Sequence, residues 1–448
     1  MAETFDAIVI GSGPAGGEAA EGLVDGGRSV ALIERDGFGG VCPLRGCNPK
    51  KVLLGSAEVM EAARLLRGKG IVDPPTASWA DLMRFKRTFT EPISNKVENY
   101  HREHGAEVVR GRARFTGPDT VEVTGRILRA DHFVVAVGDV PRPLDIPGAN
   151  LAATSDDFLD LDELPRRIIF IGGGFVAFEL AHIAARLGAA VTLLHHNDRP
   201  LKQFDGQLVD LLVDASRAAG IAVRLSVGVT ALRRGANDIE AVTSMGPQHA
   251  DLVVNCTGRV PTFDGLGLDD AGIAHSRRGI TVDSHMRSVS NPKVFACGDA
   301  ADTPYALTPT ATIEARTAVR NILENGGENG GAVVDHTGIP GAVFSVPPLA
   351  AVGLTEDAAR KQGVRYSVRS GELSNFFPWK RLGETHAAWR LLVDDPGEHV
   401  LGAHILGHMA EEMANLFALI IRQKIPISAV KDTVWTYPTC VYYLGKML

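Results

Sequence analysis

The chain has 448 residues, of which 45% are hydrophobic and 22% are charged, and its formal net charge is −7 at pH 7. This length suggests two to four domains with ample hydrophobic cores. The negative charge argues against a nucleic-acid or acidic-membrane surface, because binding phosphate groups requires clustered lysine and arginine. The apolar runs are too short to span a membrane, and the acidic N-terminal residues do not resemble a signal peptide.

Cysteine usage predicts a cytoplasmic location. The five cysteines are Cys42, Cys47, Cys256, Cys297 and Cys440. So few cysteines in so long a chain do not make a disulfide scaffold, and we therefore expect a reducing, cytoplasmic compartment. Cys256 and Cys297 lie within strand-like apolar runs and are expected to be buried core residues.

The N-terminal segment predicts a nucleotide-binding unit. A β-prone run over 5–10 leads into a G-x-G-x-x-G turn, a helical segment, and a second apolar run over 29–34. Glycines let the backbone approach a pyrophosphate, and the helix N-terminus stabilises its charge. Glu34 follows Gly11 by 23 residues, the spacing expected of an acid that binds a ribose diol. The predicted nucleotide contacts are Gly11, Gly13, Pro14, Ala15, Gly16 and Glu34.

Two cysteines follow in a glycine-framed stretch. Cys42 and Cys47 are separated by four residues, and Pro49, Lys50 and Lys51 come next. The apolar period beyond Pro49 predicts a helix, which places Cys47 beside a helix N-terminus with lysines nearby. Both features lower the pKa of a thiol and are typical of a redox-active or nucleophilic cysteine. The alternative is a pair of ordinary cysteines, one of them packed as a small hydrophobic residue.

The middle of the first half mixes helices and strands. Residues 52–105 predict helices interrupted at Pro74–Pro75, and residues 108–123 predict short strands around a turn at Gly117–Pro118. Residues 133–138 predict a buried strand that ends in glycine. The turn at 146–148 is a plausible exit toward a new domain.

A second strand, glycine turn, helix and strand repeat the first unit. The strands are predicted over 167–171 and 190–194, with a helix over 177–187, so we expect two nucleotide sites. His195 follows Gly172 by 23 residues and stands where the first unit has Glu34.

The basic residues after this strand favour NADPH over NADH. His195 is not a carboxylate and therefore offers no negatively charged hydrogen-bond acceptor to a ribose 2′-hydroxyl. His196, Arg199 and Lys202 follow it and could bind a 2′-phosphate. The alternative is that these charges form a solvated loop.

The rest of the chain adds further turns and a third domain. Strands over 251–256 and 294–299 end in Thr257-Gly258-Arg259 and in Asp299, and residues 307–311 precede a helix whose N-terminus could face a ligand. Residues 326–331 read as a linker. From about Thr337 the chain mixes predicted strands (342–345, 390–393, 400–405) with predicted helices (356–362, 411–422).

These motifs resemble, over essentially the whole chain, those of the FAD-dependent pyridine nucleotide–disulfide oxidoreductases, such as glutathione reductase, dihydrolipoamide dehydrogenase and mercuric reductase. The resemblance implies an α/β fold with two Rossmann-like nucleotide-binding domains and a C-terminal α+β dimerisation domain. The expected boundaries are 1–150 and 264–335 for FAD binding, 151–263 for NAD(P) binding, and 336–448 for dimerisation. Together with the spacing arguments, it assigns these further residues to the cofactors: Gly40, Val41, Cys42, Ala136, Gly138, Gly172, Gly174, Phe175, Val176, His195, His196, Lys202, Gly258, Arg259, Gly298, Asp299, Leu307 and Thr308.

The resemblance also implies a route for electrons. NADPH, or alternatively NADH, would reduce FAD, which would open a Cys42–Cys47 disulfide. Cys47 would be the thiolate that touches the flavin, and Cys42 would attack a small-molecule substrate. Lys50 or Lys51 would pair with Glu179 near the flavin. The active site would be shared across a homodimer.

One departure from the family concerns the C-terminal segment. Glutathione and lipoamide enzymes carry a His-Pro-Thr-x-x-Glu pattern, whereas this chain has Tyr437 and Tyr442 at the two catalytic positions. A phenol, with a pKa of about 10, is a poor base at neutral pH, although it can donate a hydrogen bond. Losing both residues is self-consistent, because a carboxylate without its imidazole would be a poorly compensated buried charge.

Mercuric reductases also have a tyrosine at the histidine position. They retain the glutamate, however, and carry a C-terminal pair of cysteines that residues 445–448 do not contain. No resident metal is predicted; Cys440 is a weak candidate for a third thiol ligand to a soft metal, and the alternative is a packed cysteine.

The sequence therefore predicts an FAD-dependent NADPH oxidoreductase with a Cys42–Cys47 redox disulfide. Its substrate is an unidentified thiol adduct, disulfide or soft metal ion, reduced without the usual His–Glu pair. One alternative is a redox-sensing or binding flavoprotein that uses the disulfide as a switch. Another is a reductive cleavage and carboxylation like that of the ketopropyl-coenzyme M enzyme, a relative that also lacks the His–Glu pair.

Overall fold

The protein is described by a computed structural model that covers residues 2–324 and 331–448. Most of the linker predicted over 326–331 lies outside these described residues. The helices are α1 Pro14–Asp25, α2 Val41–Arg45, α3 Cys47–Leu65, α4 Trp79–Thr90, α5 Ile93–Glu103, α6 Ser155–Phe158, α7 Phe175–Arg186, α8 Gly206–Ala218, α9 Thr308–Leu323, α10 Glu356–Lys361, α11 Phe377–Lys380, α12 Ala410–Arg422, α13 Ile427–Asp432 and α14 Leu444–Met447.

The strands lie between these helices, so that the fold is mixed α/β as predicted. They are β1 Glu3–Ile10, β2 Val30–Glu34, β3 Glu107–Arg110, β4 Arg114–Gly117, β5 Thr120–Val123, β6 Arg126–Val135, β7 Asp139–Pro141, β8 Arg167–Ile171, β9 Ala190–Leu194, β10 Ala222–Arg224, β11 Val229–Arg234, β12 Ile239–Thr243, β13 Gly246–Ala250, β14 Leu252–Asn255, β15 Arg259–Pro261, β16 His275–Ser276, β17 Gly279–Ile280, β18 Val294–Ala296, β19 Gly341–Val343, β20 Leu349–Gly353, β21 Tyr366–Glu372, β22 Ala388–Asp394 and β23 Val400–Leu406. None of the described helices is both long and apolar enough to cross a membrane.

The chain divides into two compact units. The first comprises Met1–Lys51, Arg84–Arg142 and Arg259–His336, and the second comprises Val52–Met83, Pro143–Gly258 and Thr337–Leu448. The second unit thus groups a complete Rossmann-like repeat with the C-terminal segment. The three domain boundaries expected from the sequence stay a prediction.

The main sheet of the first unit has β1 near its centre. The strand order is β3-β2-β1-β6-β5-β4, and β18 also pairs with β6. β1 runs parallel to β2 and β6, so that Val9 lies between Leu32 and Val134. Strands covered on both faces need continuous apolar runs, which explains the character of these segments. The carboxyl ends of β1 and β6 meet at one edge, where the first glycine turn lies.

The helix after the cysteine pair begins earlier than predicted. The prediction placed its start beyond Pro49, whereas α3 starts at Cys47. Proline is tolerated in the first turn of a helix, because the N–H that it lacks would have no intrahelical acceptor there. Cys42 lies in the separate short helix α2, and Gly46 connects the two helices.

The second unit contains the predicted repeat. Its parallel sheet has the order β10-β9-β8-β14, and α7 follows β8 directly after the second glycine turn. The predicted strands over 167–171 and 190–194 are confirmed as β8 and β9. Cys256, which follows β14, is buried as expected, and so is Cys297 in the first unit.

The C-terminal part of the second unit is α+β, as predicted. Its antiparallel sheet has the order β19-β20-β23-β22-β21, and α12 packs against β20 and β23. The sequence analysis missed β20, β21 and the separate sheet of β11, β12 and β13. β21 and β13 bury few side chains, so their sequences carry little of the apolar alternation by which strands are recognised.

A buried carboxylate lies in this C-terminal part. Glu384 follows α11, and its Oε2 accepts a hydrogen bond from the His408 backbone N at 3.0 Å. Burial raises the pKa of Glu384 to about 7, and the nearby carboxylates of Glu61 and Glu411 act in the same direction.

Replacing Glu384 by glutamine is expected to stabilise the protein at alkaline pH and to leave its stability unchanged in acid. The carboxyl pKa rises from 4.5 to about 7 on folding, so ionisation lowers the free energy of unfolding as the pH increases across this window. The neutral amide avoids this loss, which is at most about 3 kcal/mol. Thermal unfolding measured from about pH 4 to pH 8 tests the prediction.

Glu372→Gln, an exposed position on β21, is the control for the change of side chain. A melting temperature for E384Q at about pH 8 that equals or falls below that of the wild type would contradict the prediction.

Candidate functional site

Two glycines of the first glycine turn, Gly11 and Gly16, have no room for a side chain. Gly11 has φ +101°, and a Cβ there would lie 2.3 Å from the Ala136 carbonyl oxygen. A Cβ on Gly16 would lie 1.8 Å from the carbonyl oxygen of Gly11. α1 begins at Pro14, after Gly13, so the first amides of the helix face the turn without a capping side chain. This cradle fits the pyrophosphate of a dinucleotide such as FAD.

Glu34 is held at the same turn. Its Oε2 accepts hydrogen bonds from the Ser12 backbone N at 2.8 Å and the Ser12 Oγ at 2.7 Å. Its Oε1 accepts from the backbone N of Asp36 at 2.8 Å. The carboxylate predicted to bind a ribose is therefore oriented by Ser12, which the sequence analysis did not single out. Ser12 lies between Gly11 and Gly13, and this position in the glycine turn was the signal in the sequence that could have identified it.

The two cysteines and a threonine lie close together in the first unit. Cys47 is exposed and Cys42 is half-buried. Cys47 Sγ lies 3.8 Å from Thr308 Oγ1, at the first residue of α9. A hydrogen bond to Cys47, together with burial, raises the pKa of the Cys42 thiol, while the Thr308 hydroxyl and the Lys50 charge oppose this shift.

The contact between the two sulfurs makes the two ionisations of the pair unequal, and ionisation of Cys42 is disfavoured. Lys50 is half-buried and acts on Cys42, whereas the neighbouring Lys51 is exposed. The N-terminal end of the sixteen-residue helix α9 adds to the stabilisation of a thiolate.

A second group of charges surrounds Asp299. Asp299 lies in the short turn Gly298–Ala300, and burial together with the Asp139 carboxylate raises the pKa of Asp299 to about 7. Arg259 donates from Nε to Asp139 Oδ1 at 2.7 Å, and its charge opposes the shift. The Gly298 backbone N donates to Oε2 of the buried Glu314 at 2.8 Å. Asp299 is thus a buried carboxyl beside a second carboxylate and an arginine, and the Gly298 amide is held by Glu314.

Asp139 and Glu314 were not found from the sequence. Asp139 directly follows Gly138, a predicted site residue with φ +68°, and this adjacency was the signal that could have revealed it. Glu314 gave no signal, because a carboxylate within an amphipathic helix is usually exposed.

The second glycine turn repeats the first. Gly172 has φ +139°, and a Cβ there would lie 2.1 Å from the Cys256 carbonyl oxygen. α7 starts at Phe175, directly after Gly174, where a Cβ would meet open space. Phe175 is 40% exposed and Val176 is half-buried. Gly258, at the end of the neighbouring strand β14, has φ +125°.

His195 differs from Glu34 in its surroundings. The side chain is buried against the turn, and a Cβ on Gly173 would lie 2.4 Å from its Nδ1. Its Nε2 lies 3.2 Å from the Arg199 carbonyl oxygen, and burial lowers the pKa of the imidazole. His196 and Lys202 are exposed, whereas Arg199 donates to the Phe204 carbonyl oxygen at 2.8 Å. His196 and Lys202 are therefore the better placed cations for a surface ligand.

Glu179 lies one turn into α7. It is 1% exposed, and its Oε1 accepts a hydrogen bond from the Phe344 backbone N at 2.8 Å. A buried carboxylate of this kind requires donors, and here the segment after β19 supplies one.

The two C-terminal tyrosines are paired at the surface. Tyr437 is 62% exposed and Tyr442 is 40% exposed, and their rings meet edge to face with centroids 4.8 Å apart. Cys440 lies between them in sequence but is buried, with Sγ 3.9 Å from the His408 carbonyl oxygen. Burial, and the nearby Glu384, raise the pKa of the Cys440 thiol to about 11. This environment suits a packed cysteine better than a metal ligand.

Comparisons with known proteins identify relatives over the whole chain. A family model described as pyridine nucleotide-disulphide oxidoreductase matches residues 5–315, and one described as the dimerisation domain of this family matches residues 339–447. Glutathione reductase from Burkholderia cepacia is 34% identical over 97% of this chain and 96% of its own length. Dihydrolipoyl dehydrogenase from Thermus scotoductus is 32% identical over 98% of this chain and 95% of its own.

Solved structures agree with this grouping. The HOCl-induced flavoprotein disulfide reductase RclA from Escherichia coli aligns with a TM-score of 0.88 at 25% identity, covering 99% of each chain. A Cu(II) complex of RclA also gives a TM-score of 0.88 at 25% identity, covering 98% of this chain and 99% of the other.

Replacing Thr308 by valine is expected to raise the pH at which the reduced Cys42–Cys47 pair first ionises, by about one unit. The change removes the hydroxyl that lies against Cys47 Sγ and that opposes the raised pKa of Cys42. Thiolate absorbance in the ultraviolet, followed against pH, measures the effect.

Thr317→Val is the matched control, since the Thr317 hydroxyl bonds the Ile313 carbonyl oxygen further along α9. If the titration curves of T308V and T317V coincide, Thr308 does not stabilise the thiolate.

Proposed function

We propose that this chain, which belongs to the pyridine nucleotide–disulphide oxidoreductase family, passes electrons from NADPH through FAD to the Cys42–Cys47 pair and on to an acceptor that needs no acid–base catalyst. The family is FAD-dependent and uses NAD(P)H. The observation that carries the proposal is the contrast between a polarised dithiol and the Tyr437–Tyr442 ring pair.

The residues of the first unit divide the work on the flavin. FAD, when bound, supplies two-electron transfer between the nicotinamide and the disulfide. The glycine turn at 11–16 and the N-terminus of α1 would hold its pyrophosphate, and Glu34 its ribose. Asp299 would bind a hydroxyl group of the ribitol.

The dithiol then delivers its electrons outward. Cys42 would pass its proton to the Cys47 thiolate along their hydrogen bond and would attack an incoming acceptor as a thiolate. With a disulfide acceptor, Cys42 attacks one sulfur, the mixed disulfide is resolved by Cys47, and two thiols leave with two protons. The second leaving thiolate requires a proton donor in the pocket, and a tyrosine pair is a weak source of it at neutral pH.

A soft metal ion avoids this requirement. Thiolates bind soft metals, and the metal displaces the thiol proton instead of requiring one. Two Cu(II) ions would accept one electron each, the Cys42–Cys47 disulfide would form, and the one proton that the pair shares would be released. The RclA relative has been solved as a Cu(II) complex, which supports this acceptor class. We therefore favour a soft metal ion or an unusual thiol adduct over glutathione disulfide.

The nucleotide preference and the assembly are part of the same proposal. His196 and Lys202 would bind the 2′-phosphate of NADPH. The position that holds a carboxylate, Glu34, in the first repeat is occupied by His195 in the second. The dimerisation domain exposes apolar side chains, among them Leu419 (53%) and Val434 (95%), which suits a homodimer. We place the enzyme in the cytoplasm because its cysteine usage suits a reducing compartment.

Replacing His196 and Lys202 together by alanine is expected to slow flavin reduction by NADPH about tenfold at low nucleotide concentration, because charge-assisted contacts to the phosphate are lost. Reduction by NADH should change little. Stopped-flow measurement of flavin bleaching with each nucleotide gives both rates.

Arg217→Ala removes a surface cation of α8 and is the control for net charge. A clear advantage for NADH in the wild-type enzyme would overturn the assignment of NADPH.

Replacing Tyr437 and Tyr442 by the histidine and glutamate of the glutathione and lipoamide enzymes is expected to allow the protein to reduce glutathione disulfide. Tyr437→His combined with Tyr442→Glu should raise turnover of glutathione disulfide by about a hundredfold, since a positioned acid–base group contributes this order of rate. Tyr437→Phe should leave reoxidation by Cu(II) and flavin reduction by NADPH unchanged, because the proposed acceptor needs no acid–base catalyst.

The decisive assay compares reoxidation by disulfides, Cu(II), quinones and ketone thioethers under anaerobic conditions. Cys42→Ser serves as the control for chemistry that does not pass through the dithiol. Rapid reduction of glutathione disulfide by the wild type would refute the proposal. Failure of every acceptor would favour a redox switch, and purification without flavin would exclude a flavoenzyme.

A further inference from the structure

Side chains on one face of α7 form hydrogen bonds with the segment that follows β19. Glu179, His182 and Arg186 are spaced by three and four residues and therefore share a helix face. Glu179 is 1% exposed, His182 is fully buried, and the Arg186 side chain is 5% exposed. Glu179 accepts a hydrogen bond from Phe344 N at 2.8 Å, and Arg186 donates to the carbonyl oxygen of Val346.

His182 links this segment to α8. The Val346 backbone N donates to His182 Nδ1 at 3.0 Å. His182 Nε2 lies 2.8 Å from Ser216 Oγ, and that hydroxyl donates to the Leu212 carbonyl oxygen at 2.7 Å. A chain of hydrogen bonds thus runs from the 344–346 segment through the imidazole to the backbone of α8.

This series of hydrogen bonds defines which nitrogen of the His182 imidazole carries the proton. With the proton on Nε2, the Val346 N–H, the imidazole N–H and the Ser216 hydroxyl each have an acceptor. A proton on Nδ1 would point at the Val346 carbonyl oxygen, which already accepts from Arg186, and would leave the Val346 N–H without its acceptor. Burial and the Arg186 charge lower the pKa of His182, so the ring is neutral.

The charged groups near His182 are on α7 and α3. Arg186 is the cation on the same helix, and its Nε lies 3.5 Å from Glu61 Oε2 on α3. Arg64 binds the same Glu61 carboxylate at 2.7 Å. The Arg186 charge, itself paired with Glu61, acts on the imidazole, and the neutral Ser216 hydroxyl lies at its Nε2.

We propose that His182 is a positioning residue for Glu179. By accepting from the Val346 N–H, it holds the 344–346 segment against α7, and the Phe344 N–H of that segment orients the Glu179 carboxylate. Both amides donate to side chains on the same face of α7, two residues apart along the segment. The inference rests on the proposed function and on the expectation, implied by the family resemblance, that Glu179 pairs with Lys50 or Lys51 near the flavin.

Two substitutions separate the two hydrogen bonds of the imidazole. In His182→Asn, the shorter amide keeps an acceptor near the Nδ1 position and no longer reaches Ser216. In His182→Gln, the longer amide reaches Ser216 and removes the acceptor of the Val346 N–H. His399→Gln, a partly exposed histidine paired with Asp394, is the control for loss of an imidazole.

The first measurement is hydrogen exchange at the Phe344 and Val346 amides of the FAD-loaded enzyme. Exchange in H182Q should be about tenfold faster than in the wild type, as expected for one lost hydrogen bond, and exchange in H182N and H399Q should stay near the wild type. The second measurement is the pH dependence of flavin reduction by NADPH. Its acid limb should move to higher pH by about one unit in H182Q alone, because a buried carboxylate that loses a donor is harder to keep ionised.

Each outcome decides the proposal. Unchanged amide exchange in H182Q, or equal behaviour of H182N and H182Q, would overturn it. Faster exchange without a shifted pH profile would also overturn it, since His182 would then hold the segment without positioning Glu179.

A second variant guards against misfolding. If H182Q does not fold by circular dichroism, Ser216→Ala removes the acceptor of the imidazole N–H and should accelerate the same amides in the same direction. No acceleration in S216A would overturn the proposal. If NADPH does not reduce the wild-type flavin, the proposed function fails, while the exchange measurement still reports on the anchor.

Discussion

The absence of a side chain at two glycines is the constraint on which both nucleotide sites depend. At Gly11 and at Gly172 the chain turns with positive φ and passes so close to the neighbouring strand end that any Cβ would overlap a carbonyl oxygen. This close approach brings the N-termini of α1 and α7 to the edges of their sheets, where the amides of the first helical turn face outward. The predicted pyrophosphate contacts are arranged around these two turns.

The Cys42–Cys47 pair also depends on close contacts between a few residues. Cys47 starts one helix and lies near the start of another, so that two helix N-termini and the Thr308 hydroxyl act on one pair of sulfurs. The hydrogen bond between the sulfurs makes their two ionisations unequal. A polarised donor of electrons therefore exists independently of any residue that would shuttle protons. In the proposed function, Tyr437 and Tyr442 restrict the acceptors that such a donor suits.

Buried charged groups in this protein are repeatedly tied to backbone amides. Glu314 binds Gly298 N, Glu384 binds His408 N, and Glu179 binds Phe344 N. An isolated carboxylate would be costly to bury, and a backbone donor is a rigid partner that cannot rotate away. In the second unit this device joins the helix that follows the glycine turn to the segment after β19. The position of Glu179 consequently depends on residues far away in sequence.

The sequence by itself determined the elements whose signal is local. Glycine spacing, apolar runs and the interval from Gly11 to Glu34 are properties of short segments, and they predicted both glycine turns, the repeat and the cysteine pair. Tertiary structure decided what depends on contacts between distant segments. The bond between Arg259 and Asp139 joins residues 120 positions apart, and no local pattern announces it. His195 illustrates the difference. Its spacing from Gly172 showed that it occupies the position in the second repeat that Glu34 occupies in the first. Only the packing of the folded chain decided that its ring lies buried against Gly173, whereas His196 and Lys202 lie at the surface.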